Sequence, residues 1–169
     1  MKTTNMEIYC DGSCRGNPGP TGIGLAVYRN GRVDDLWYGL FSHQGTSSKA
    51  ELQALHYSLK LAESEIAKGY TINIYSDSEY AIGCITKWAF GWHKKKWERK
   101  DPIKNLEVIK QAFALYKKIS THVRVSHVKA HRGIEGNELA DRLANIAVRR
   151  FEREMEPYTE SITGLLQYR

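Results

Sequence analysis

Hydrophobic and polar positions divide the chain into runs of two different periods. Residues 6–10 (MEIYC), 22–29 (GIGLAVYR) and 34–43 (DDLWYGLFSH) are rich in β-branched and aromatic residues and predict three strands. Asn17-Pro18-Gly19-Pro20 and Asn30-Gly31 supply the turns between them, so the three strands form an antiparallel meander. The period then changes. Leu55, Leu59, Ala62 and Ile66 recur at helical spacing and predict an amphipathic helix over 48–67, closed by Gly69. A short strand at 71–76, a helix over 78–90 and a helix over 104–119 follow, the last with Leu106, Ile109 and Phe113 inward. Residues 122–129 (HVRVSHVK) alternate as a strand, and 136–155 read as the final long helix, broken from the tail by Pro157. Residues 91–101 carry no strong period, and no internal repeat interrupts the order. An order of β-β-β-α-β-α-α-β-α predicts one five-stranded mixed sheet, antiparallel first and parallel afterwards, with helices on both faces.

Four carboxylates fall where this pattern turns inward. Asp11 closes the first strand. Glu51 lies four residues before Leu55, on the face that packs against the sheet. Asp77 follows the fourth strand at its carboxyl end, and Asp141 borders the buried stripe of the last helix. Each has a local explanation. Asp77 suits a helix N-cap, Glu51 a first-turn acid, and Asp141 a partner for Arg142 or Arg149. Together they form a set of hard oxygen donors suited to magnesium or manganese, and a pair of such ions can clamp an in-line phosphoryl displacement. His131, in a glycine-containing loop after a strand, is a candidate proton carrier or an ordinary exposed loop histidine. There is no Gly-x-Ser-x-Gly elbow and no phosphate-binding Gly-x-x-x-x-Gly-Lys loop.

Charge adds a partner. The 169 residues carry a net charge of +6, and the segment 87–100 (KWAFGWHKKKWERK) alone holds six Lys or Arg against one Glu. Lys94, Lys95 and Lys96 lie between Trp92 and Trp97, a combination of phosphate attraction and flat stacking surface that favours nucleic acid. Trp88 is expected to pack inward, while the lysines, one or two tryptophans and His93 face the polyanion. Three cysteines (Cys10, Cys14 and Cys84) are too few and too odd for a disulfide framework, and Cys10–Cys14 has no partner pair for zinc. No apolar run approaches the ~20 residues of a membrane span. The expectation is a cytoplasmic monomer without a membrane partner.

The stretches "YCDGSCRGNPGPTGIG", "TSSKAEL", "IYSDSEYAIGCITKW" and "VKAHRGIEGNELADRLA" together resemble the type 1 ribonuclease H family, from about Met6 to Arg150. The resemblance implies a ribonuclease H-like fold over 1–155, with a basic protrusion at about 87–101 and an unassigned tail at 156–169. It implies metal-dependent, endonucleolytic cleavage of the RNA strand of RNA–DNA hybrids, leaving 5′-phosphate and 3′-hydroxyl ends. Two Mg2+ ions, with Mn2+ as a possible substitute, are implied at Asp11, Glu51, Asp77 and Asp141, with His131 assisting proton transfer or product release. The implied substrate contacts are Cys14, Asn17, Thr46, Ser47, Ser48, Glu79, Trp88, Trp92, Lys94, Lys95, Lys96, Trp97 and Asn105. Within that set Asn17, Ser47 and Ser48 lie in the minor groove, and Thr46 with Asn105 grips a DNA phosphate. Ser47 and Ser48 stand where amides are frequent in the family, Glu79 where Gln is, and Gln44 where an Arg can stand. A noncatalytic hybrid-binding module of the same fold, a resolvase or integrase core, and a ribonuclease domain of a reverse transcriptase are the rival readings.

Overall fold

A computed structural model of the chain describes residues 4–167. The elements run β1 (Thr4–Cys14), β2 (Gly19–Arg29), β3 (Arg32–Gly45), α1 (Ser47–Ile66) and β4 (Tyr70–Ser76), then α2 (Glu79–Gly83), a π-helical turn (Cys84–Trp88) and α3 (Ala89–Lys94). After these come α4 (Leu106–Ile119), β5 (Val123–His127), α5 (Glu135–Arg149), β6 (Glu156–Pro157) and α6 (Ile162–Gln167). The strands make one sheet in the order β5-β4-β1-β2-β3-β6. The meander β1–β2–β3 is antiparallel, and β1–β4 and β4–β5 are parallel, as the crossover helices require.

Strand alternation sorts the core. Met6, Ile8 and Cys10 of β1 and Ile23, Leu25 and Val27 of β2 face α1 and α4, where Leu52, Leu55, Leu59, Ile109 and Phe113 complete one buried cluster. The opposite face carries Ala26, Leu36 and Tyr38 under Leu139, Leu143 and Ala147 of α5.

The sheet has six strands, not five. The added strand β6 pairs antiparallel with β3, Trp37 opposite Pro157, and Tyr158 N–H donates to the Leu36 carbonyl at 2.7 Å. A two-residue strand leaves no alternation to read. The same segment brings Leu165 of α6 into the α5-side core.

The last helix stops at Arg149, earlier than its apolar pattern suggests. Glu152 N–H bonds the Ala147 carbonyl and Phe151 N–H the Val148 carbonyl, with Phe151 at φ +53°. This is a left-handed helix stop whose usual glycine is replaced by phenylalanine, so the stop signal is missing from the sequence. The helix expected over 78–90 continues instead to Lys94 through the π turn.

Candidate active site

β1 runs past Asp11 to Cys14, with Asp11 opposite Gly24 of β2. The parallel ladder between β1 and β4 ends one residue earlier, at Cys10–Ser76. Asp11 and Asp77 are therefore the first residues beyond the last paired rung of two adjacent strands. Their side chains are released from the core at the carboxyl edge of the parallel sheet, where open α/β sheets place ligands.

α1 supplies the third acid. A Cβ on Gly12 would lie 2.6 Å from the Ala50 carbonyl carbon and 2.7 Å from the Glu51 nitrogen, so only glycine lets β1 approach the helix this closely. At that approach Gly12 N–H donates to Glu51 Oε1 at 2.8 Å and to Asp11 Oδ1 at 2.9 Å. Asp11, Glu51 and Asp77 each offer an oxygen within 4.8 Å of the others.

The local explanations for two of these acids do not hold. α1 is capped by Thr46, which accepts from Lys49 N–H, and Glu51 lies beyond the first turn. Ser78, not Asp77, caps α2, accepting from Ala81 N–H at 3.1 Å. Asp141 does not share the three-carboxylate group. Its Oδ2 accepts from Arg142 Nη1 at 2.9 Å, the pairing weighed for it from sequence, and Arg142 also bonds Glu138 Oε2 at 3.0 Å. Asp141 remains close enough for its charge to act on both Asp11 and Glu51.

Electrostatically the group is unfavourable as it stands. Burial raises Asp11 well above the carboxylate range, and the charges of Glu51, Asp77 and Asp141 add to it. Burial likewise pushes Glu51 up to about 7, against the lowering effect of its hydrogen bonds to Asp11 and Gly12. Glu51 Oε2 is buried with no hydrogen-bond partner among the described residues. A buried oxygen with a free lone pair, beside two more carboxylates, fits a divalent cation.

A second constellation lies at the N-terminus of α1. Asn17 and Ser47 bond reciprocally, Asn17 Nδ2 donating to Ser47 Oγ at 3.1 Å and Ser47 N–H to Asn17 Oδ1 at 3.2 Å. Thr46 Oγ1 lies 3.4 Å from Ser48 Oγ, which accepts from Asn105 Nδ2 at 3.4 Å. Asn105 also donates to Tyr80 OH at 3.2 Å, a partner the sequence did not announce. Two helix N-termini, those of α1 and α4, thus meet at one polar spot, a place favourable to an anion. Cys14 Sγ donates to the Gly16 carbonyl at 3.1 Å, and the buried Cys10 thiol is raised far above its ordinary value, mainly by desolvation.

The basic segment reverses one expectation. Trp88 projects and is 48% exposed, while Trp92 and Trp97 are partly buried against the core. Trp97 packs edge-on to Phe113 at 5.9 Å and towards His93 at 6.0 Å. The reason is the helical path into α3, which turns 88 outward. Lys94, Lys95 and Lys96 are exposed. Trp88 and Lys87 border two adjoining hollows, one shared with Glu79, Tyr80 and His127, the other with Trp92, Lys95 and Arg99. His127 was not singled out in the sequence; its register opposite Ser76, one residue before Asp77, is what places it there. His131 is exposed at φ +56° in the loop before α5.

The family profile for RNase H matches residues 3–149. The chain belongs to the ribonuclease H family, type 1. The Ribonuclease H of Thermosynechococcus vestitus is 39% identical over 140 residues, covering 81% of this chain and 84% of that protein. That of Methylobacillus flagellatus is 36% identical, covering 88% and 94%. Among solved structures, the N-terminal RNase H domain of a Mycobacterium tuberculosis protein superposes with a TM-score of 0.64 at 26% identity, over 88% of this chain and 96% of that one. The LC9 ribonuclease H1 has the same fold at a TM-score of 0.74 and 21% identity, over 97% and 81%. Membership makes the chain a hydrolase of the nuclease class, with an acidic group able to hold a metal ion. No helix among the described residues is long and apolar enough to cross a membrane.

Proposed function

We propose that this ribonuclease H cleaves the RNA strand of RNA–DNA hybrids endonucleolytically with two divalent ions, Mg2+ by donor chemistry, leaving 5′-phosphate and 3′-hydroxyl ends. The observation that carries the reading is the carboxylate group of Asp11, Glu51 and Asp77, with its unpartnered buried Glu51 oxygen. Three acids raised or crowded together without a cation are costly to fold, and such a cost points to a ligand that removes it. When bound, the ions supply Lewis-acid stabilisation of the phosphoryl transition state and an activated water.

The chain's own residues do the rest. Gly12 N–H holds Asp11 and Glu51 in register from one donor. Asp77 approaches from the adjacent strand, and Asp141, freed from Arg142, completes the ligand set. The α1 and α4 N-termini, through Thr46, Ser48 and Asn105, bind a phosphate of the DNA strand. Asn17 and Ser47 enter the minor groove between the strands, where the 2′-hydroxyl distinguishes RNA from DNA. Trp88 and Lys94–Lys96 bind the flanking duplex, and His131 carries a proton from its exposed loop. A relative of the same fold, LC11 ribonuclease H1, has been solved with an RNA/DNA hybrid, which agrees with this substrate.

The test is Asp11→Asn, assayed for cleavage and for hybrid binding in parallel. Loss of cleavage with binding retained is expected. Substantial cleavage by a well-folded Asp11→Asn protein would sink the assignment of Asp11 as a cation ligand.

A further inference from the structure

The α5 face of the sheet carries three tyrosines in contact. Tyr9 stacks on Tyr75, ring centroids 4.8 Å apart at 20°, and meets Tyr28 edge-on at 5.5 Å and 67°. The first turn of α5 sits on this cluster. Gly136 lies so close to the Tyr9 ring that any side chain there would overlap it. Tyr28 OH donates to Glu135 Oε1 at 2.6 Å. The Tyr9 hydroxyl is directed elsewhere, towards Glu7 Oε2 at 3.5 Å, so the polar link to the helix is Tyr28's.

The segment just before Glu135 is the His131 loop. Its other end is tied to the active-site edge, where Val128 N–H donates to the Ser76 carbonyl at 2.9 Å, one residue before Asp77. Between these two ties the loop is exposed and holds two left-handed residues, His131 at φ +56° and Gly133 at φ +74°. Such a loop has few contacts of its own to define where its histidine lies. The remainder of α5 is held independently by Leu139, Leu143 and Ala147 on the sheet. The Tyr28–Glu135 bond is therefore dispensable for docking the helix, yet it is the tie nearest to His131 on that side.

We propose that Tyr28 is a positioning residue, which fixes the first turn of α5 through Glu135 and thereby sets the place of the His131 loop, whose other end is tied beside Asp77. The proposal rests on the proton-carrying role given to His131 above. Burial, and after it the bond to Glu135, raise the Tyr28 phenol far above its ordinary value, so it remains a donor at every working pH.

The experiment is steady-state cleavage of a labelled RNA–DNA hybrid by the full chain and by Tyr28→Phe, Glu135→Gln, His131→Ala and the double variant Tyr28→Phe/His131→Ala. Amide hydrogen exchange across 129–134 is measured on the same proteins. Losing one hydrogen bond to a charged acceptor predicts a fall in kcat of about three- to tenfold for Tyr28→Phe, with KM unchanged. Glu135→Gln keeps an acceptor for the phenol and retains most of the wild-type rate. In the His131→Ala background, Tyr28→Phe has no further effect, because the tie has nothing left to position. Exchange in the loop accelerates in Tyr28→Phe. An equal loss in both backgrounds, a change confined to KM, or unchanged loop exchange overturns the proposal. If the wild-type chain cuts no hybrid, the proposed reaction fails by that result alone, and the exchange data still decide whether Tyr28 orders the loop.

Discussion

The cost of assembling three carboxylates without a cation can be measured directly through Glu51→Gln. Glu51 is raised from an ordinary 4.5 to about 7, with burial as the leading cause. The folded state therefore retains a proton that the unfolded chain has already lost. Below the unfolded value both states are protonated and this group costs nothing. As pH rises from 4.5 through about 7, unfolding releases the proton and metal-free stability falls. The full effect above that window amounts to about 3 kcal/mol, an upper figure because Asp11 shares part of it. The glutamine keeps an amide oxygen for Gly12 N–H but never ionises. In chelator, Glu51→Gln and wild type should melt within about a degree of each other at pH 4, below the unfolded value. At pH 8 the variant should melt higher, by up to about 6–12 °C for a chain of this size. Adding magnesium at pH 8 should raise the wild-type melting temperature and leave the variant nearly unmoved. Coincident melting of the two proteins at pH 8 in chelator would refute the reasoning, because the carboxylates would then carry no strain for an ion to relieve.

Replacing Lys94, Lys95 and Lys96 by Ala should weaken hybrid binding and reduce the slope of log affinity against log salt by about 1 for each lysine that meets a phosphate; binding titrations from low to high salt check this. Trp88 and Trp97 should separate function from stability. Trp88→Ala, at a ring 48% exposed, should leave the melting temperature nearly unchanged and raise KM for the hybrid. Trp97→Ala, packed on Phe113, should lose about 2–4 kcal/mol in denaturant unfolding.

Most of the architecture was legible because period and turn chemistry agree along the chain. Leu55, Leu59 and Ala62 announce the face of α1 that is buried, and Glu51 lies close enough to that face to be drawn towards the sheet edge. The proximity of Asp11 and Asp77 was also readable in part, since parallel strands of a mixed sheet end at a common edge. What composition could not convey is set by tertiary contact. Ser78 takes the cap that Asp77 was equally suited to fill, and the choice depends on backbone direction after β4. The stop of α5 is carried by a left-handed Phe151 where a glycine would have been visible. The sixth strand is only two residues long, and its position beside β3 follows from that helix stop. Trp88, expected inward, projects instead because the π turn over Cys84–Trp88 shifts the helical phase that leads to it. The Tyr28–Glu135 bond joins residues 107 positions apart, and Tyr28 lies outside every stretch that carries the family resemblance.

The central claim is that the three-carboxylate group is a cation site for cutting RNA paired with DNA. The most direct measurement offers the chain the same labelled sequence as RNA–DNA hybrid, double-stranded RNA and double-stranded DNA, each with magnesium and with chelator. The account predicts cleavage of the RNA strand of the hybrid alone, in magnesium alone, with 5′-phosphate ends on the products. Cleavage of DNA, or cleavage of the hybrid in chelator, contradicts it.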